Sequence, residues 1–191
     1  MIKLVVGLGN PGVEYEFTRH NIAWILLDQF QKIQNNLWKS KWNGEYTDAS
    51  IDGEKVYFLK PQTYMNLSGE SVAPMANFFK IKPDEILVIQ DELDLDFGTI
   101  TFKDGGGLAG HNGLKSITKC LGSQSFRRMR VGIGRPNRGS VSSWVLSSFG
   151  NAEIPDLEAL MTGASGALDE MLQGDFQKVQ NKYNKKNFLK G

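Results

Sequence analysis

The sequence predicts an α/β layer fold built around a mixed sheet, on three observations. Short apolar runs of strand type alternate with longer stretches of helical apolar spacing, the 21 glycines gather at segment ends, and 191 residues are enough for one sizeable core. One domain over 1–191 is the expectation. Segment 2–8 (IKLVVGL) reads as a buried strand. From Ile22, the positions Ile25, Leu26, Phe30, Ile33 and Leu37 recur at helical spacing, predicting a helix over 22–37. YTDASID and KVYFLK, separated by Gly53 and Glu54, read as a hairpin. A helix carrying Val72, Met75, Ala76 and Phe79 follows, with Pro74 awkwardly inside it because proline removes a backbone donor. ILVIQ (86–90) is a second buried strand, GTITFK (98–103) alternates like a half-exposed one, and MRVGIG (129–134) is another. Between the last two, LKSITKCLG reads as a short helix ended by Gly122. Leu157, Leu160, Met161, Ala164, Leu168, Met171 and Leu172 form a helical stripe over 154–173, and a final basic helix runs from Phe176 to about Lys186.

The charge balance of 22 Lys+Arg against 21 Asp+Glu leaves a formal +1, so no global field attracts nucleic acid or membrane and any polyanion site is local. A single cysteine excludes an internal disulfide framework. Cys120, beside Ile117 and Leu121, reads as a small core residue in a reducing compartment. The first apolar run breaks at glycines and is too short for a signal-peptide core or a membrane span, which predicts a cytoplasmic protein.

Ligand crevices in open α/β sheets lie beyond the carboxyl ends of the strands, so the residues following each strand are the candidates. Strand 2–8 is followed by Gly9, Asn10, Pro11 and Gly12, then Tyr15 and His20. KVYFLK is followed by Tyr64, Met65 and Asn66, ILVIQ by Asp91, and GTITFK by Gly105 through Gly113 with His111 and Asn112. Both histidines of the chain sit in such loops directly before an asparagine. A lone loop histidine is more often structural, and loop asparagines usually make turns. It is the convergence on one sheet edge that marks a pocket. A neutral imidazole can take a proton from water near pH 7, and a carboxylate can fix its tautomer, so His20 with Asp91 would suffice as a base. A helix following His20 would help keep the ring uncharged. The carboxamides of Asn10, Asn66 and Asn112 donate and accept, which suits amide or ester groups and a developing oxyanion. With no G-x-S-x-G and Cys120 read as buried, direct attack by water is favoured over a covalent intermediate.

Two histidines and one cysteine without H-E-x-x-H or paired C-x-x-C give poor support for a metal. The acidic DELDLD (91–96) lacks the glycine and terminal acid of an EF-hand. Gly7-Leu8-Gly9-Asn10-Pro11-Gly12 matches G-x-G-x-x-G, but the acid expected about 20 residues on would fall in a helix rather than at the end of a second strand. Lys178, Lys182, Lys185, Lys186 and Lys190 read either as a solvated tail or as a phosphate-contacting stripe, with the first four on one helical face. Lys103, Lys115, Arg127, Arg128 and Arg130 flank the pocket loops.

Taken together, GLGNPGVEYEFTRHN (7–21), TYMNLSG (63–69), DELDLDFG (91–98), GGGLAGHNGLKS (105–116) and RMRVGIGRP (128–136) closely resemble the bacterial-type peptidyl-tRNA hydrolases, in the family's order and over about two-thirds of the chain. The resemblance implies a monomeric, single-domain three-layer α/β/α sandwich around a mixed, mostly parallel twisted sheet. It implies cleavage of the ester between a peptide, or another N-blocked aminoacyl group, and the 3′-terminal ribose of tRNA, without cofactor or protein partner. On the family's pattern, His20 activates water and Asp91 stabilises its basic form. Asn10 favours blocked over free aminoacyl-tRNA. Tyr15, Tyr64, Asn66 and Asn112 line the site for the tRNA end, Met65 packs at the pocket and His111 supports it. Lys103 and Arg130 clamp tRNA phosphate, and 137–149 forms a mobile cover. Two other classes compete: a noncatalytic RNA-binding module on the same fold, which would need the basic rim but not His20 or Asp91, and a dinucleotide-binding oxidoreductase.

Overall fold

The computed structural model describes residues 1–189. Strands β1 (Leu4–Gly7), β2 (Lys39–Lys41), β3 (Gly44–Ile51), β4 (Glu54–Pro61), β5 (Ile86–Glu92), β6 (Thr99–Asp104), β7 (Arg127–Gly132) and β8 (Lys186–Asn187) form one sheet in the order β2-β3-β4-β1-β5-β7-β6-β8. The pairs β4–β1, β1–β5 and β5–β7 are parallel, and the flanking pairs are antiparallel, so parallel pairing occupies the centre of the mixed sheet. The helices are α1 (Ile22–Gln29), α2 (Gly69–Phe78), α3 (Asn112–Leu121), α4 (Val141–Val145), α5 (Ile154–Gln173) and α6 (Phe176–Tyr183).

The central strands read as unbroken apolar runs because both of their faces are covered. Val5, Leu87, Ile89, Met129 and Val131 pack with α1 and α5 on one face, whereas Leu4, Val6, Ile86 and Val88 pack with α2 and α3 on the other. This gives three layers.

Several boundaries depart from the sequence reading. The 22–37 periodicity ends as a helix at Gln29, because Phe30 turns extended (φ −68°, ψ 116°) and lets both Phe30 and Ile33 enter the core from irregular chain. β6 is buried over Thr99–Phe102 rather than half-exposed, since β8 pairs with its outer edge and α6 packs against it. The basic C-terminal helix stops at Tyr183. Lys185 takes a positive φ of 55° and Lys186 joins β8, so the four lysines do not share a helical face, and Lys190 lies outside the described residues. Cys120 is exposed, not a core residue, so burial does not explain its absence from the chemistry. Pro74 is accommodated inside α2 on its exposed face. The β3–β4 hairpin turns through Asp52 and Gly53, both at positive φ (52° and 80°), the geometry that matches strand twist.

The parallel centre sets the site. β1, β4, β5 and β7 all point their carboxyl ends to one edge of the sheet, which delivers Asn10, the 64–67 turn and Asp91 there. β6 runs the other way, so its carboxyl end points away from that edge, contrary to the sequence argument. His111 and Asn112 arrive instead because the 105–111 loop climbs back across the sheet before α3 begins. Seven residues can span about 23 Å, enough for that return. The buried Arg128 guanidinium holds the start of this loop through the Gly105 carbonyl (3.0 and 3.3 Å).

Candidate active site

At the carboxyl edge lies a cleft of about 410 Å³ lined by Asn10, His20, Tyr64, Met65, Asn66, Gln90, Asp91, Glu92, Leu93, Ala109, His111, Asn112, the α4 residues Val141, Ser142 and Val145, and Leu146 just after that helix. A larger hollow of about 710 Å³ opens at the opposite end of the sheet around Arg127 and Phe176, but it carries no histidine.

Asp91, only 4% exposed, sits at the centre of the cleft floor. Its Oδ2 lies 2.7 Å from His20 Nδ1 and its Oδ1 lies 2.8 Å from His111 Nε2. Burial alone would raise the Asp91 carboxyl, but the charge attraction and hydrogen bonds of His20 and His111 outweigh it and hold the group well below the usual carboxylate range. An ionised carboxylate only accepts, so each imidazole must present an N–H to it. His20 is therefore protonated at Nδ1 when neutral, which leaves Nε2, on the ring edge away from Asp91, with a free lone pair. His111 is fixed the other way. Its Nδ1 caps α3 by accepting from the Gly113 N–H at 3.1 Å, and its Nε2–H faces Asp91. The two rings tilt against each other with centroids 5.3 Å apart. One free imidazole nitrogen remains, and it belongs to His20.

The three groups are close enough to gather around a cation, with ligand atoms within 4.8 Å of one another. In these tautomers the two nitrogens facing Asp91 carry protons, so a cation there would have to displace both hydrogen bonds.

Asn10 is held by its neighbours. Its Oδ1 accepts from the Met65 N–H at 2.8 Å, which orients the carboxamide and turns its NH₂ away from that bond. Its backbone is clamped on both sides by Asn21, whose Oδ1 accepts from Asn10 N–H and whose Nδ2 donates to Asn10 C=O, each at 2.9 Å. Asn21 is fully buried and carries no role in the sequence reading, although it is the asparagine noted next to His20. Its signal was that adjacency. Asn66 follows buried Met65 in a 3-10 turn (Met65–Leu67), and Asn112 opens α3, so both present exposed carboxamides to the cleft. Gly113 keeps the two walls close. A Cβ there would lie 2.7 Å from Met65 Sδ and 2.8 Å from Leu8 Cδ1.

The remaining expected positions lie further out. Tyr15 is half-buried in a 3-10 turn (Val13–Tyr15) and does not line the cleft. Lys103 and Arg130 share one face of the β6–β7 pair, because Lys103 stands opposite Arg128 and Thr101 opposite Arg130. Arg130 Nε donates to the cleft residue Glu92 at 2.9 Å. Val141, Val145 and Leu146 lie in the 137–149 segment that the resemblance implies as a cover, and with Leu93 they form an apolar wall of the cleft. The helix over Val141–Val145 and the part played by Leu93 were missed, since nothing in the serine-rich run predicts a helix. The glycines of the G-x-G-x-x-G match have another use. The Trp24 ring fills the space where a Gly9 Cβ would sit (2.6 Å), and its Nε1 donates to the Gly7 carbonyl at 2.7 Å. That leaves the dinucleotide reading unsupported.

Fold and cleft together define an α/β/α enzyme with one imidazole nitrogen free to take a proton beside a set of carboxamides, the equipment of a hydrolase that activates water. The chain belongs to the peptidyl-tRNA hydrolase family, whose profile matches residues 4–190. It is 41% identical over 188 residues to the peptidyl-tRNA hydrolase of Geobacter metallireducens, covering 98% of this chain and 97% of that one. It is 44% identical over 185 residues to that of Lactobacillus johnsonii, covering 96% and 100%. The crystal structure of the Acinetobacter baumannii peptidyl-tRNA hydrolase superposes with a TM-score of 0.89 at 37% identity, covering 98% of this chain and 96% of that one.

Proposed function

We propose that the protein hydrolyses the ester joining a peptide, or another N-blocked aminoacyl group, to the 3′-terminal ribose of tRNA, freeing tRNA from aborted translation. The observation that carries the mechanism is the 2.7 Å contact between His20 Nδ1 and Asp91 Oδ2, which leaves His20 Nε2 as the free base. Nε2 takes a proton from water as its oxygen attacks the ester carbonyl. The imidazolium that forms is stabilised by the buried carboxylate and returns the proton to the departing ribose oxygen. The carboxamide NH₂ groups of Asn10, Asn66 and Asn112 donate to the oxyanion and to the peptide group next to it.

An ester lacks amide resonance, so general base catalysis worth roughly 10²–10⁴-fold, together with positioning, is an adequate engine. Preference for a blocked substrate follows from the same groups. A free α-ammonium brought against the NH₂ of Asn10 would lose its water and meet a donor instead of an acceptor. Lys103 and Arg130 contact tRNA phosphates from the neighbouring face, as point charges that position the substrate without reading its sequence. One chain supplies the imidazole, the carboxylate and all three asparagines, so this reading takes the protein as a monomer, and its tRNA substrate makes it a cytoplasmic enzyme.

The test offers purified protein N-acetylaminoacyl-tRNA and free aminoacyl-tRNA, with His20→Ala alongside. Only the blocked substrate should be cleaved efficiently, and His20→Ala should retain its fold while losing roughly 10²–10⁴-fold in kcat. Equal rates for wild type and His20→Ala would reject the mechanism.

A further inference from the structure

We infer that Arg19 is a positioning residue that straps the 137–149 cover over the cleft and thereby sets the apolar wall against which the substrate binds. The inference rests on the cleft being the site proposed above. Arg19 precedes His20 in a 3-10 turn (Arg19–Asn21), so consecutive side chains of one turn diverge, the imidazole toward Asp91 and the guanidinium toward the root of the cover. Arg19 is 5% exposed, although a guanidinium is rarely buried without a set of partners. Its Nη1 donates to the Ser148 carbonyl (2.8 Å), to Ser147 Oγ (3.0 Å) and to the Ser147 carbonyl (3.3 Å), and its Nη2 donates to Glu153 Oε1 (2.7 Å). Its Cζ lies over the Trp144 ring, 3.8 Å from the centroid, and 5.0 Å from the centroid of the Phe149 ring.

Those partners span the cover. Trp144 belongs to α4 and donates from Nε1 to the Gly134 carbonyl at 2.8 Å, so the stacked guanidinium fixes a ring that is itself tied to the cover's other root. Glu153 Oε1 also accepts from the Gly150 N–H at 2.9 Å, closing the loop behind the cover. Between the roots, α4 and its C-cap lay Val141, Val145 and Leu146 along the cleft. Backbone bonds from Arg19 N–H to the Ser147 carbonyl (3.0 Å) and from Phe149 N–H to the Phe17 carbonyl (3.2 Å) accompany the side chain and survive its removal. The strap is thus a backbone ladder with a guanidinium lock. Only arginine supplies both a fork for several acceptors and a flat face for Trp144, whereas lysine would restore the charge alone.

The experiment pairs amide hydrogen exchange with steady-state kinetics on N-acetylaminoacyl-tRNA for wild type, Arg19→Ala, Arg19→Lys and Trp144→Leu. In Arg19→Ala, exchange across 140–149 should speed by about tenfold or more while β5 stays protected, since several charge-assisted bonds to the cover are lost. KM should rise about tenfold with kcat nearly unchanged, because His20 keeps its own bond to Asp91. Arg19→Lys should rescue little, and Trp144→Leu should move KM in the same direction by less. A purely structural arginine would lower stability and leave KM and local exchange of the folded enzyme at wild-type values, and that result overturns the inference. Full rescue by lysine overturns the claim for the fork. If Arg19→Ala does not fold, Trp144→Leu decides, and unchanged exchange at 140–149 in that variant counts against the strap. Should the wild type show no turnover at all, the proposed activity fails, while the exchange data still decide the strap.

Discussion

An imidazole serves as a base at one nitrogen only when something else commits the other, and in this cleft a single carboxylate commits two rings at once. Asp91 accepts from His20 and His111, and the Gly113 N–H leaves His111 no freedom to change tautomer. Asp91→Asn therefore has a definite consequence. The new carboxamide oxygen can satisfy only one N–H, and His111 is the ring that cannot adjust, so the new NH₂ faces His20 and drives its proton onto Nε2. The expected loss is roughly 10²–10⁴-fold in kcat, with KM little changed and the fold intact, as followed by single-turnover kinetics and circular dichroism. Wild-type turnover in Asp91→Asn would remove the carboxylate from the mechanism. Asn21 acts one step back, on the backbone of Asn10. Asn21→Ala leaves the Asn10 N–H and C=O without their partners and should cost about 2 kcal/mol in urea unfolding. It should also narrow the preference for blocked over free aminoacyl-tRNA, because Asn10 is no longer held in place.

Elements reach the cleft by close approach as much as by direction. α2 and α3 touch at Gly69, where an added Cβ would stand 2.2 Å from the Ser116 carbonyl oxygen and 2.8 Å from the Cys120 Cβ, and the Gly69 N–H is taken by Ser116 Oγ at 2.9 Å. Backbone on both sides cannot yield to a methyl group, so Gly69→Ala should force the two helices apart at a cost of about 1–3 kcal/mol. The same shift moves the 3-10 turn of Asn66 relative to the N-terminus of α3 with Asn112, so KM should rise alongside the fall in Tm. Thermal melts and initial rates on the same preparation check both. Most elements were legible because their apolar periods are set by burial on one or both faces: 154–173 became α5 with those bounds, and ILVIQ lengthened only to Glu92. The errors arose where an apolar residue is buried by irregular chain, as at Phe30 and Ile33, or where a neighbouring element covers a face that looks exposed, as α6 and β8 do for β6.

Across the whole molecule, Asp91 joins three segments distant in sequence, so its ionisation bears on stability as well as on catalysis. Its pKa is depressed in the folded state below the ordinary value of 3.8. The unfolded chain therefore binds this proton more readily, and the stabilisation is present above pH 3.8 and is lost as pH falls below it. Urea unfolding of wild type and Asp91→Asn across an acid series should show a stability gap that is open above that value and narrows below it. A gap that widens on acidification would contradict the assignment. The sequence by itself determined the α/β alternation, the strands of the parallel centre and the position of His20, Asp91 and the three asparagines at or just beyond the ends of strands and helices, because hydrophobic period and turn chemistry are local properties. That Asp91 still belongs to β5 was not read from it. Only the tertiary structure decided that Asp91 holds both histidines, that His111 reaches it by a loop climbing back from an antiparallel strand, and that Asn21 and Arg19 support Asn10 and the cover. Those outcomes depend on strand order and direction and on which nitrogen faces which oxygen, and no periodicity along a chain encodes them.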